Sequence, residues 1–256
     1  MMAGKRHFLL LLVLLTGLVS LGWGLSARFN SVAVIGYSFK VGIPGEPELT
    51  LAVPIPLPDY RHYRQKPRPA YADNLTWNEM AVEYLDDSIA IATDPGDDAV
   101  IDSAARQFEA AALAGNLDSG EVVELVLKFA QSLTYATDNV STSFDQYPRY
   151  PLETLFEQTG DCEDTSLLAA AILTEMGYDT AFILFEEFDH MGLGIHFPPG
   201  WEIKMHGNSW IYGDSDNVVA AGERRYWYLD TSGKRAMGWA PPEYSQTPAY
   251  IYPVGG

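Results

Sequence analysis

The sequence predicts an α+β fold in which a helix that carries the only cysteine packs on an antiparallel sheet. Apolar residues recur at helical spacing between Trp77 and Leu133, and short strand-like segments separated by Gly, Pro, Asn and Asp occur between Thr180 and Leu229. Helices followed by a run of strands are typical of α+β domains. With 256 residues, 47% of them hydrophobic, the chain is long enough to bury one large core.

The N-terminal segment, residues 1–27, consists of a basic flank at Lys5 and Arg6 followed by an uncharged, leucine-rich run. This pattern is typical of an export signal or of a membrane anchor. The run is long enough to cross a bilayer and lacks a good cleavage site, so we expect a single-pass anchor of the cell membrane with the main domain outside the cytoplasm. A cleaved signal and a secreted protein are the alternative.

Residues 28–72 are predicted to form a strand and a proline-rich linker. Between Ser31 and Leu57, apolar and small residues first alternate, which fits one or two strands. The prolines that follow fix the backbone and remove donors, so we expect a stiff stalk there. A basic patch ends this segment. We expect it to be a solvated linker that contacts either acidic lipid or the acidic domain. Its residues are Arg61, His62, Arg64, Lys66 and Arg68.

Residues 73–256 are predicted to form the main domain, with residues 133–242 as its core. Three helices open this domain. The clearest begins at Asp118, because Glu121 completes a capping box and apolar residues then follow at steps of three and four. The three helical segments are residues 80–85, 100–115 and 118–133.

A fourth helix is predicted from Asp161 or Cys162 to Gly177, a residue type that commonly ends helices. Strands of the antiparallel sheet follow it, separated by turn residues. The order predicts that the cysteine helix packs on the sheet. The strand segments are Thr180–Phe185, Met191–Phe197, Trp210–Tyr212 and Arg225–Leu229.

The chain is strongly acidic, with a net charge of −18. An acidic surface repels phosphate, so we expect no nucleic-acid partner. No glycine-rich phosphate loop precedes a helix, and no cofactor is predicted. We interpret the charge as a solvated surface rather than as a site.

Cys162 is the residue whose surroundings most strongly indicate chemistry. It cannot form a disulfide within the chain, and it begins a helix, where aligned peptide dipoles favour the thiolate. A thiol nucleophile needs a group that takes its proton, usually a histidine held by an acceptor. Three histidines beyond the N-terminal segments are candidates: His190, His196 and His206.

His190 is the first residue of its predicted strand, a position from which an imidazole ring can reach the end of a neighbouring helix. His196 lies six residues further on with the same alternation parity, so spacing alone does not exclude it. Asp230 fits the role of acceptor by position, because it ends an aromatic strand before Thr231-Ser232-Gly233. A structural role in a strand-end turn is the other interpretation of Asp230.

Seven stretches, taken in their order along the chain, match the sequence pattern of a known family. They are Ser132–Tyr135, Asp138–Val140, Tyr147–Leu155, Gly160–Ser166, Gly177–Asp179, His190–Met191 and Tyr226–Thr231. Together they resemble the transglutaminase-like superfamily, a branch of the papain-like cysteine fold, and in particular its exported archaeal-type members. The resemblance implies that Cys162 is the nucleophile, His190 the general base and acid, and Asp230 the group that orients the histidine.

Two features depart from this pattern. Gly192 and Gly194 make the histidine strand loose, and Glu163 and Asp164 place two carboxylates beside the thiol, where they oppose its ionisation. We expect these carboxylates either to cap the helix or to hold the proline-rich segment before it through Arg149.

The resemblance implies an exported, membrane-anchored cysteine enzyme that forms a thioester with an amide or peptide carbonyl of a protein or peptide substrate. Water as the acceptor would make it a peptidase or amidase, and a lysine amine would make it an acyltransferase; the sequence leaves both open.

Two other functions are possible from the sequence. One is a catalytically silent binding or scaffolding module of the cell envelope, because folds persist when chemistry is lost. Its contact surface would be Tyr147, Tyr150, Trp201, Trp210 and Trp227. The other is a metal site formed by Cys162, His190 and a carboxylate, which the absence of close His or Cys pairs disfavours, so no metal is predicted.

Overall fold

The computed structural model describes residues 31–40, 48–69, 77–138, 147–197, 211–212, 224–247 and 249–254. The predicted membrane segment, residues 1–27, lies outside these residues. None of the helices that the structure describes is both long and apolar enough to span a bilayer. The prediction of a transmembrane helix is therefore wrong for the described part of the chain.

The described elements form a mixed α and β fold with antiparallel sheets, which agrees with the predicted α+β class. In chain order they are β1 (Val32–Lys40), β2 (Glu48–Pro56), α1 (Leu57–Gln65), α2 (Trp77–Ala92), α3 (Asp98–Gly115), α4 (Ser119–Ala130), β3 (Thr134–Tyr135), α5 (Pro151–Glu157), β4 (Thr159–Gly160), α6 (Cys162–Glu175), β5 (Asp179–Phe185), β6 (His190–His196), β7 (Ile211–Tyr212), β8 (Tyr226–Leu229) and β9 (Tyr250–Val254). Two short 3₁₀ helices span Glu186–Phe188 and Pro242–Gln246.

An antiparallel hairpin of β1 and β2 begins the described chain, with Val32 opposite Pro56 and Lys40 opposite Glu48. Period-2 alternation turns one face of this hairpin inward. The ring of Tyr37 lies edge-on to Phe129 of α4, with 5.0 Å between centroids. The proline-rich stretch in β2 therefore packs on the main domain and does not form a separate stalk. The inward residues are Tyr37, Phe39, Leu51, Val53 and Ile55.

The basic patch after the hairpin contacts the acidic domain, which is one of the two alternatives that the sequence left open. Helix α1 carries part of the patch, and the fully buried Tyr63 fixes this helix to the core. Three basic side chains form ion pairs across to the domain. The pairs are Arg64–Glu157 (3.3 Å), Lys66–Asp94 (2.6 Å) and Arg68–Glu153.

The main sheet has the strand order β7-β8-β6-β5-β9, and all its neighbouring strands are antiparallel. Helix α6 packs on one face of it, where Leu168 and Ile172 share a core with Leu193 of β6. The other face is covered by a smaller apolar cluster that includes Phe185 and Tyr228. The predicted packing of the cysteine helix on an antiparallel sheet is therefore present.

The ends of the helices follow local sequence signals. Asp118 accepts a hydrogen bond from the Glu121 N–H (3.0 Å), and the Glu121 side chain accepts from the Asp118 N–H (2.9 Å), so the predicted capping box is confirmed. After α6, Gly177 adopts a φ of 82°, a conformation that glycine enters without the Cβ penalty.

Candidate active site around Cys162

Cys162 is the first residue of α6, and it is half-buried. The preceding residue, Asp161, is the N-cap, and its side chain accepts hydrogen bonds from the backbone N–H groups of Glu163 and Asp164. Asp164 completes a capping box by accepting from the Asp161 N–H at 3.3 Å. The carboxylate at 164 thus caps the helix, as predicted.

A hydroxyl cluster ties the first turn of α6 to the sheet. The Thr231 hydroxyl, one residue after the turn residue Asp230, lies 3.0 Å from the Thr165 hydroxyl and 2.8 Å from the Ser166 hydroxyl. Thr231 also donates to the Cys162 carbonyl at 3.4 Å. This contact brings the end of β8 and the start of α6 together, and β6 lies beside β8.

The thiol of Cys162 is neutral near pH 7. Burial raises its pKa to about 12, and the charges of Asp161, Glu163 and Asp189 act in the same direction. A hydrogen bond from the Met191 backbone N–H lowers it, but by less. Burial of the thiol therefore opposes the thiolate that the position at a helix N-terminus led us to expect.

His190 begins β6, and its side chain is half-buried. Its Nε2 atom forms a 2.9 Å hydrogen bond with the Tyr228 hydroxyl. Burial lowers the pKa of His190, while the negative charges of Asp230 and Asp189 oppose that shift. Among the hydrogen bonds of the described residues, none joins His190 to Cys162 or to the Asp230 carboxylate.

Asp230 lies buried directly after β8 and shapes the turn that follows. Its Oδ1 accepts hydrogen bonds from the Ser232 N–H (3.1 Å), the Ser232 hydroxyl (2.8 Å) and the Gly233 N–H (3.1 Å). The structural interpretation of Asp230 is thus confirmed. Its charge also reaches the ring of His190, so the structural role does not remove it from the site.

The other two candidate histidines do not contribute to this arrangement. His196 ends β6, where its Nδ1 lies 2.8 Å from the Arg225 carbonyl. Six residues along an extended strand separate it from His190 by about 20 Å. His206 lies outside the described residues.

Tyrosine side chains of the neighbouring strand β8 occupy the space beside the two glycines of β6. A Cβ at Gly192 would lie 2.9 Å from Cζ of the Tyr228 ring, and a Cβ at Gly194 would lie 2.7 Å from the Tyr226 Cβ. Real Cβ atoms essentially never approach so closely. The strand is therefore tightly packed by tyrosines of β8, and the predicted looseness is wrong.

A buried ion-pair network lies behind the N-terminus of α6. The Arg149 guanidinium is fully buried and pairs with Asp138 (3.0 Å), Glu157 (3.2 Å) and Asp164. The Arg149 backbone N–H also donates to Asp164 at 2.7 Å. The predicted link between Asp164 and the proline-rich segment through Arg149 is confirmed.

Three carboxylates next to the thiol could together hold a cation, because each of Asp138, Asp161 and Glu163 places an oxygen within 4.8 Å of the others. Cys162 and His190 are not members of this group. The three acids also serve the protein itself. Asp161 caps α6, Asp138 pairs with Arg149, and Glu163 accepts a hydrogen bond from Tyr84.

The aromatic residues proposed as a contact surface are mostly part of the fold. Tyr147 is buried and donates to Glu153 at 3.1 Å, and Tyr150 and Trp227 pack against the core. Trp201 and Trp210 lie outside the described residues. This leaves the binding-module alternative with little of the surface that the sequence suggested for it.

Sequence reasoning missed Tyr228 as a partner of His190. The alternation of β8 was the available signal, because Tyr228 has the same parity as Asp230, the residue expected to orient the histidine. The register of β8 against β6, with Tyr228 opposite Gly194, was not available from the sequence.

In comparisons with known proteins, no protein-family model and no curated protein matched the chain. The resemblance to transglutaminase-like enzymes therefore depends on the residues quoted above and stays a prediction.

Proposed function

We propose that this chain is a transglutaminase-like cysteine enzyme that attacks an amide or peptide carbonyl through a thioester intermediate. The observation that carries the proposal is the position of Cys162 at the first turn of α6, which hydroxyl contacts fasten to the sheet end that bears His190 and Asp230. The order of these three residues and the packing of α6 on an antiparallel sheet support a papain-like core.

The chemistry follows from the protonation states. Since the thiol of Cys162 is neutral and burial keeps His190 neutral near pH 7, the thiol proton has to pass to the imidazole as sulfur attacks the carbonyl carbon. The new C–S bond gives a tetrahedral oxyanion. Its collapse breaks the C–N bond, and the amine leaves with the proton from His190. Water or a second amine then attacks the thioester and gives its proton to His190. The C–S bond breaks, and His190 returns that proton to the sulfur, which regenerates the thiol.

The oxyanion requires donors at the start of α6. The first N–H groups of a helix have no partner within the helix and point towards its N-terminal end. The backbone N–H of Cys162 is therefore the donor that we assign to the oxyanion.

A binding or scaffolding module is the second candidate function. The observation that favours it is the raised pKa of Cys162 together with the absence, among the described hydrogen bonds, of one between Cys162 and His190. Such a module would bind a peptide at this site without forming a covalent bond.

Intact-mass spectrometry after reaction with an activated ester, p-nitrophenyl acetate, distinguishes the two functions. The enzyme is expected to gain one acetyl group that hydroxylamine removes, and Cys162→Ala should gain none. His190→Gln should slow acylation by about 100-fold or more. His196→Gln is the matched control, because it changes a histidine at the far end of the same strand. Absence of the adduct, or equal rates in both histidine variants, would refute the enzyme proposal in favour of the binding module.

A further inference from the structure

The hydrogen bond between His190 and Tyr228 fixes which ring nitrogen is available for chemistry. Nε2 is engaged by the Tyr228 hydroxyl at 2.9 Å, which leaves Nδ1 as the nitrogen that can accept a proton. A neutral imidazole carries one proton, on one of its two nitrogens. Nδ1 can act as a base only when that proton lies on Nε2, and Nε2–H must then donate to the tyrosine oxygen.

Tyr228 is held rigidly enough to impose this choice. Its side chain is fully buried on the sheet face away from α6, and its ring covers Gly192. The ring of Phe185 meets it edge-on, with 5.8 Å between centroids. A hydroxyl on so constrained a ring has little freedom to leave the imidazole, and the imidazole is itself packed 5.7 Å from the ring of Tyr244.

One oxygen of the Asp230 carboxylate is engaged by the turn that follows β8. Its Oδ1 accepts three hydrogen bonds from the turn residues Ser232 and Gly233. Asp230 therefore acts on His190 through its charge, while the contact that orients the imidazole comes from Tyr228, two residues earlier in the chain.

We infer that Tyr228 is the positioning residue of His190: its hydroxyl oxygen accepts the Nε2–H hydrogen bond and so keeps Nδ1 free to take the thiol proton. This inference rests on the proposed function, and it assigns to tyrosine the role that the resemblance implied for Asp230. A tyrosine oxygen accepts from Nε2–H in the neutral ring and in the imidazolium alike. The same contact therefore holds the ring through both proton transfers, without a change of partner.

The first test measures the tautomer directly, by ¹⁵N NMR of the histidine side chains in the full chain at pH 8. Burial lowers the pKa of His190, against the opposing charges of Asp189 and Asp230, so the ring is neutral at this pH. The wild type is expected to show Nε2 protonated. In Tyr228→Phe, which keeps the ring over Gly192 but removes the hydroxyl, we expect a mixture of tautomers.

Tyr226→Phe is the matched control. Tyr226 lies on the same strand and the same face, packs over Gly194, and its hydroxyl donates to Asp179 at 3.4 Å, so it lies away from His190. This variant should keep the wild-type tautomer. Thermal unfolding of both variants checks that each is folded.

The second test is the acylation assay. Tyr228→Phe should lower the rate constant of acylation roughly tenfold or more at saturating ester with an unchanged half-saturation concentration, because the base and not the binding is disturbed. Tyr226→Phe should retain the wild-type rate.

The inference is overturned when Tyr228→Phe keeps both the tautomer and the rate, or when it acylates faster than the wild type. It is equally overturned when Asp230→Asn and not Tyr228→Phe changes the tautomer. Failure of the proposed function has a different signature, since no acetyl adduct would then form on the wild type while the NMR measurement still reports on Tyr228.

Discussion

Replacing Arg149 by methionine tests whether the buried network behind the cysteine helix stabilises the fold. The guanidinium is fully buried, and its loss takes an ion-pair partner from Asp138 and Asp164, while Glu157 keeps its ion pair with Arg64. Two of these carboxylates, Asp138 and Asp164, are buried at 4% and 0% exposure. Removing one partner of a buried pair costs about 3–5 kcal/mol, a large part of the roughly 5–15 kcal/mol that stabilises a domain.

Urea unfolding followed by tryptophan fluorescence measures this loss without screening the charges. Arg106→Met is the matched control, because Arg106 pairs with Asp102 on the exposed surface of α3 and should cost only about 0.3–0.5 kcal/mol. Adding Asp164→Asn to Arg149→Met should recover part of the stability, since it removes a charge left buried without a partner. A loss below about 1 kcal/mol, or a double variant less stable than the single one, would refute the reasoning.

Two further predictions concern Asp97 and Gly192. Burial raises the pKa of Asp97 to about 7, so the folded state keeps a proton that the unfolded state loses near pH 4. The free energy of unfolding therefore falls by about 4 kcal/mol as the pH rises from about 4 to about 7. Asp97→Asn keeps an acceptor for the Leu152 N–H. In urea titrations it should be more stable than the wild type at pH 8 and equally stable at pH 4. The same difference in unfolding free energy at both pH values would contradict this. Gly192→Ala should lower the unfolding free energy by about 1–3 kcal/mol, because its Cβ meets the Tyr228 ring, whereas Gly36→Ala, with open space, should cost nothing; equal stabilities of the two variants would contradict the packing argument.

Features set by neighbouring residues were accessible from the sequence. The capping box of Asp118 and Glu121, the start of the cysteine helix at Asp161 and its end near Gly177 all depend on hydrogen bonds or dihedral angles within a few residues. The link from Asp164 to Arg149 was also expected, as one of the two roles that the sequence left open for the carboxylates beside the thiol.

Features set by tertiary burial were not accessible. The dipole argument for Cys162 was physically sound, but the sequence does not show how far the thiol is removed from water, and that removal decides its pKa. The proline-rich segment was expected to extend from the domain, because its composition does not show that Val53 and Ile55 face the core. The partner of His190 required the register between β6 and β8.

The packing of β6 and the environment of its histidine follow from one structural feature. Small residues at positions 192 and 194 leave space on one face of β6, and Tyr228 and Tyr226 of β8 occupy it. Because side chains alternate, His190 and Gly192 have the same parity, so the tyrosine that covers Gly192 also places its hydroxyl against the imidazole. A side chain at position 192 would displace that ring and remove the hydrogen bond to His190. The glycines that made this strand appear weakly specified in the sequence are therefore what allows a tyrosine to hold the histidine.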